Sequence, residues 1–114
     1  MIKPWIFEFF ATYDDQPDFD AERAADAFAW HLDLWTRAED IGFEGIFFSE
    51  HHFAAGRLSP SPNLLIAAVA QRTKRLRLGV MGMVLPLYEP WRAAEEVSML
   101  DYLSSGRGMI DRLS

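Results

Sequence analysis

The hydrophobic pattern changes period several times along the 114 residues, and the order of those changes predicts the architecture. Trp5 to Phe10 is a short apolar run, rich in aromatics and broken only by Glu8, that leads into Thr12, Tyr13, Asp14, Asp15 and Pro17. This is the pattern of a buried strand followed by a polar loop. From Asp20 the spacing is helical. Asp20 can cap, Glu22 suits the positive end of the helix dipole, and Ala24, Phe28, Leu32 and Trp35 recur on one face until Gly42 ends the run.

A second strand is predicted from Gly45 to Phe53, apolar at its start and polar at its carboxyl end, with a loop from Ala54 to Pro62 behind it. Ser61 and Pro62 make a cap and a first position for a second helix. That helix runs into Arg72, Lys74, Arg75 and Arg77, which read as cations complementing its carboxyl end rather than as an anion site. A third strand follows from Leu76 to Leu85, punctuated by Gly79 and Gly82 and closed by Pro86. Pro90 opens a third helix through Val97, Met99, Leu100 and Leu103, Gly106 ends it, and Gly108-Met109-Ile110 starts a fourth strand.

Strands alternating with helices in this way require right-handed crossovers and a parallel sheet. The predicted class is α/β, a partial (β/α)8 TIM barrel forming one domain over residues 1–114. A complete barrel takes about 250 residues, so the chain holds the first three βα units and the start of a fourth strand. A doubly wound sheet is the rival. No G-x-G-x-x-G follows the first strand, and Gly106-Arg107-Gly108 meets Asp111 where the last glycine of that fingerprint belongs.

Composition narrows the partners. Acids outnumber bases 17 to 11, for a net charge of -6, so the chain repels a polyanion; neither nucleic acid nor an anionic membrane is an expected partner. A small molecule or another protein is. The absence of cysteine rules out disulfides and Cys-ligated metal and fits a reducing, cytoplasmic compartment. Glu8 interrupts the apolar run behind Met1-Ile2-Lys3-Pro4 and no small-residue cleavage site follows, so no signal peptide is expected.

Ligands and catalysts of parallel α/β folds gather at the carboxyl ends of strands, where Glu50, His51 and His52 lie. On an extended strand His51 and His52 point apart, whereas Glu50 and His52 can face one way together. A metal site needs a further ligand, and His31 sits mid-helix in a structural position, so acid-base or hydrogen-bonding work is favoured over metal. The structural alternative packs one histidine beneath the following loop and exposes the other. Glu8 is either a tuned acid at the barrel mouth or, as the safer choice, a structural ion pair. Gly79 and Gly82 imply a close approach to the backbone, by a flat ligand or by a neighbouring helix. No G-x-S-x-G, cysteine nucleophile or P-loop is present. The run Leu64 to Ala70 is apolar all round and needs cover on two sides; Ala67, Ala68 and Ala70 would let another subunit approach closely, and the rest of a longer chain would serve equally.

Several stretches together resemble the amino-terminal third of the bacterial luciferase-like, flavin-dependent monooxygenases. They are Ala38-Glu39-Asp40-Ile41-Gly42-Phe43, Ser49-Glu50-His51-His52-Phe53, Leu78 to Pro86, and Glu89 to Glu96 running into Leu100 to Arg107. The resemblance implies a (β/α) barrel enzyme in which reduced FMN, supplied by a separate flavin reductase, reacts with O2 to oxygenate a small organic substrate; a deazaflavin is the other cofactor it allows. It makes His51 the catalytic group, giving acid-base help and hydrogen bonds at the flavin or substrate. It makes Val80, Met81, Gly82 and Met83 the backbone under the flavin, with a bulge at Met81-Gly82 that is often a cis peptide, and it implies a homo- or heterodimer through the second and third helices. No metal is implied.

The family continues from Gly106-Arg107 into an apolar strand and an arginine-bearing phosphate loop. This chain has Gly108-Met109-Ile110-Asp111-Arg112-Leu113-Ser114, so it is expected to be a truncated product, a fragment, or a sheet completed by a partner. The rivals to the oxygenase are a non-catalytic module that associates through the second and third helices, and a metal-dependent hydrolase using Glu50 and His52.

Overall fold

The structure, a computed structural model, describes residues 1–12, 20–54 and 56–110. Most of the polar loop expected after the first strand, from Tyr13 to Pro17, lies outside these residues.

Strand β1 (Trp5–Glu8) is followed by helix α1 (Ala21–Arg37) and β2 (Gly45–Phe48), then by α2 (Pro62–Ala70) and β3 (Arg77–Val80). A 3-10 turn at Leu85–Leu87 precedes α3 (Pro90–Leu103) and β4 (Gly108–Ile110). The four strands pair in parallel, in the order β1-β2-β3-β4. Sequential order decides between the two α/β architectures. Right-handed crossovers that always step the same way put every helix on one side of the sheet, whereas a doubly wound sheet reverses direction. The chain is therefore the partial barrel that the sequence predicts.

Period-two alternation sends Ile46, Phe48, Leu78 and Val80 toward the helices, where they are buried with Trp35, Ile66 and Val69. The opposite face carries Trp5, Phe7 and Phe47, with the Trp5 and Phe47 rings stacked at 4.7 Å. Gly45 is fixed by this register, since a Cβ there would run into the Trp5 indole and lie 2.6 Å from the Arg77 carbonyl oxygen. Helix α1 begins as expected, Asp20 accepting from the amides of Glu22 and Arg23 at 3.0 and 3.2 Å. Helix α2 packs against α1, α3, β2 and β3, and Leu65, Ile66, Val69 and Ala70 are buried. Its all-round apolarity is thus answered mostly inside the chain; Leu64 alone of its large side chains is exposed.

Both inner strands are shorter than expected. β2 stops at Phe48 instead of Phe53 because the backbone beyond it finds partners outside the ladder. The Ser49 hydroxyl donates to the Phe9 carbonyl at 3.2 Å, the Ser59 hydroxyl donates to the Ser49 carbonyl, and the His51 amide donates to Ser59 at 3.1 Å. β3 stops at Val80 instead of Leu85; the Met81 amide still reaches Phe48 at 2.9 Å, but the Val84 amide turns to a carboxylate. Ser61 precedes α2 without a side-chain capping bond. The basic cluster does not complement the end of α2 either. The amides of Lys74, Arg75 and Leu76 donate to Glu39, Arg77 lies in β3, and the Ala70 carbonyl is met by Arg107. Burial alone would raise the Glu39 carboxyl, but the three amides and the Arg75 charge outweigh it and hold the group below its ordinary value.

Candidate active site

The carboxyl ends of β1, β2 and β3 meet at one rim, and the chain after β2 folds back over it. Ala11 and Arg57 form an antiparallel bridge, the Thr12 amide donates to Gly56 at 2.7 Å, and the Leu58 amide donates to Phe10 at 2.9 Å. Below this return, Glu8 accepts from the Phe10 amide at 2.8 Å and from the Trp35 indole N–H at 2.9 Å. Glu8 is therefore structural through hydrogen bonds rather than through the ion pair expected. It steadies Phe10, which sits at a φ of 46° that a side chain rarely adopts.

His51 is half-buried on this rim. Its ring lies nearly parallel to that of Phe9, with 5.9 Å between centroids, and the Arg57 guanidinium covers the same phenyl at 5.1 Å. Among the described residues its ring has no hydrogen-bond partner. His52 is half-buried too, so the expectation of one packed and one exposed histidine does not hold. The expected pairing of Glu50 with His52 does: His52 Nε2–H donates to Glu50 Oε1 at 2.7 Å, and the other oxygen, Oε2, accepts the Val84 amide at 2.9 Å.

The segment after β3 completes the rim. The Met81–Gly82 peptide is cis. Met81 is exposed, and a Cβ placed on Gly82 would meet no heavy atom of the described chain within 4 Å, so the space on that side of Gly82 is open. Val80 is buried in the strand and Met83 packs against the core.

Tyr88 is the residue that sequence reasoning missed. Its hydroxyl lies against Glu50, and burial first, then the charge of Glu50 and that of Glu96, push its pKa up to about 12. A lone tyrosine between Pro86 and Pro90 carries no signal of that contact. His31 is structural as expected, its Nδ1 bonded to the Ala27 carbonyl at 2.8 Å and its ring against Phe10 and Trp35. Among the described residues no three His, Asp or Glu side chains converge as metal ligands, and no helix is long and apolar enough to cross a membrane.

The model of the luciferase-like monooxygenases matches residues 6–110, and the chain belongs to that family. It is 46% identical over 93 residues to an uncharacterised protein of Sinorhizobium fredii, covering 82% of this chain and 27% of the relative. It is 38% identical over 82 residues to limonene 1,2-monooxygenase of Rhodococcus erythropolis, covering 70% and 21% respectively. In fold it is similar to the oxygenating constituent of 3,6-diketocamphane monooxygenase of Pseudomonas putida, solved in complex with FMN. The TM-score is 0.81 at 24% identity, over 95% of this chain and 28% of that one. The chain thus spans about a quarter of the length of these relatives.

Proposed function

We propose that the chain serves a luciferase-like, flavin-dependent monooxygenase reaction on a small organic substrate. The observation that supports this best is the rim itself. A histidine ring that has no hydrogen-bond partner among the described residues and lies against the Phe9 ring, and an open backbone at Met81–Gly82, close adjacent parallel strands, and Glu50 ties the two segments together. When bound, reduced FMN supplies the two electrons that divide O2 between the substrate and water. The chain's own residues do the rest: the backbone from Val80 to Met83 lies under the ring system, Phe9 and Met81 exclude water, and His51 holds or delivers a proton at the reacting oxygen.

FMN is the cofactor favoured over a deazaflavin, and a separate flavin reductase is its source. Leu64 on α2 and Trp91, Met99 and Tyr102 on α3 are exposed, which supports a homo- or heterodimer through these helices. Acidic charge and the lack of cysteine support a cytoplasmic setting. Titrating the folded chain anaerobically with reduced FMN tests the proposal: saturable binding with a one-to-one endpoint is expected, and its absence would overturn the assignment.

A further inference from the structure

Glu50 is a carboxylate with a side chain fully removed from solvent, and among the described residues its charged neighbours include no lysine or arginine. Burying such a group is costly unless its oxygens are satisfied, and an apolar side chain would pack there more cheaply. Both oxygens are used, and each is used by a different element. Oε1 takes the His52 ring in the segment after β2, Oε2 takes the Val84 amide beyond the Met81–Gly82 segment, and the Tyr88 hydroxyl lies against the same carboxylate.

We propose that Glu50 is a positioning residue: one carboxylate fixes the His52 ring and the Val84 end of the rim segment at a constant spacing, which keeps the open backbone at Met81 and Gly82 in register with the histidines. The clamp is a property of the chain; its consequence for ligand binding rests on the flavin assignment above. The Val84 amide donates to Glu50 Oε2, and one carboxylate reaches both donors because the segment after β3 leaves the ladder there.

Nitrogen-15 NMR of the wild-type chain, with FMN titrations of wild type and Glu50→Gln, tests the inference. In wild type, His52 is expected to carry its proton on Nε2 and the Val84 amide to exchange slowly. In Glu50→Gln, one carbonyl oxygen replaces two, so the His52 ring resonances or the Val84 amide should move and oxidised FMN should bind about tenfold more weakly. A wild-type His52 with Nε2 unprotonated, or a Val84 amide exchanging at the rate of an open loop, overturns the clamp without need of any variant. So does a folded Glu50→Gln protein with both signals and FMN affinity unchanged. Wild type that shows both NMR signatures but binds no FMN upholds the clamp and refutes the flavin assignment, so the two failures are distinguishable.

Discussion

Arg107 is the residue whose removal should cost this fold most for its size. Its Nε donates to the Ser104 carbonyl at 2.7 Å, Nη1 to Thr73 Oγ1 at 2.8 Å and to the Leu76 carbonyl at 3.1 Å, and Nη2 to the Ala70 carbonyl at 2.9 Å. One guanidinium thus joins the end of α2, the approach to β3 and the end of α3, satisfying carbonyls that helix termini leave unpaired. A hydrogen bond from a charged group contributes about 1.5–3 kcal/mol, but four on one half-buried group are not additive and water replaces part of the loss. The net cost of Arg107→Ala is then about 3 kcal/mol. With an unfolding entropy of about 2.1 cal/mol/K per residue, that lowers Tm by roughly 12 °C. Arg107→Lys keeps the charge but presents a single nitrogen, and should recover less than half of the loss. Urea unfolding followed by circular dichroism, with the buried Trp35 as a fluorescence reporter, measures both variants. A loss below about 1 kcal/mol in the alanine variant, or full recovery by lysine, would refute the reasoning.

Two further outcomes follow from charge and exposure. Glu39→Ala leaves the amides of Lys74, Arg75 and Leu76 without their acceptor and should cost about 1 kcal/mol at neutral pH, a figure kept low because the carboxylate is partly solvated. The folded Glu39 carboxyl titrates below its ordinary 4.5, so its contribution is present above that pH and lost as the pH falls through the folded value; the gap between wild type and variant should close in acid unfolding curves below about pH 4.5. Leu64→Glu places a charge on the exposed ridge of α2 while leaving the chain's own core intact, so sedimentation should shift from dimer to monomer with Tm of the monomer unchanged; an unaltered profile would count against the helix interface.

The elements that bury one face were legible in the sequence, because a repeating apolar side is a direct consequence of packing. α1 with its Asp20 cap, α3 with Pro90 at its start and the four strand cores all follow from period and capping chemistry. The strand ends did not, since nothing in an apolar run such as Gly79 to Leu85 says where backbone amides leave the ladder for a side chain. The same limit hid the long-range polar contacts. Glu8 reaches Trp35, Glu39 reaches three amides of the turn before β3, and Arg107 takes the place at the end of α2 that the nearer cluster from Arg72 to Arg77 was expected to fill. Each is set by tertiary proximity, which local spacing does not encode. At the rim, the pairing of Glu50 with His52 was readable from alternation alone, whereas the contact of Glu50 with Tyr88 required the fold.

The central claim is that the exposed backbone at Met81 and Gly82 is a surface on which a flavin lies. Gly82→Leu tests it most directly, because a Cβ at this position meets no heavy atom of the described chain within 4 Å, so the added side chain starts into the open space where the flavin is proposed to lie. Measured by quenching of FMN fluorescence, with Tm recorded on the same samples, wild type should bind saturably and the variant at least tenfold more weakly at an unchanged Tm. Equal FMN affinity in the two proteins, or no binding by the folded wild type, would contradict the account.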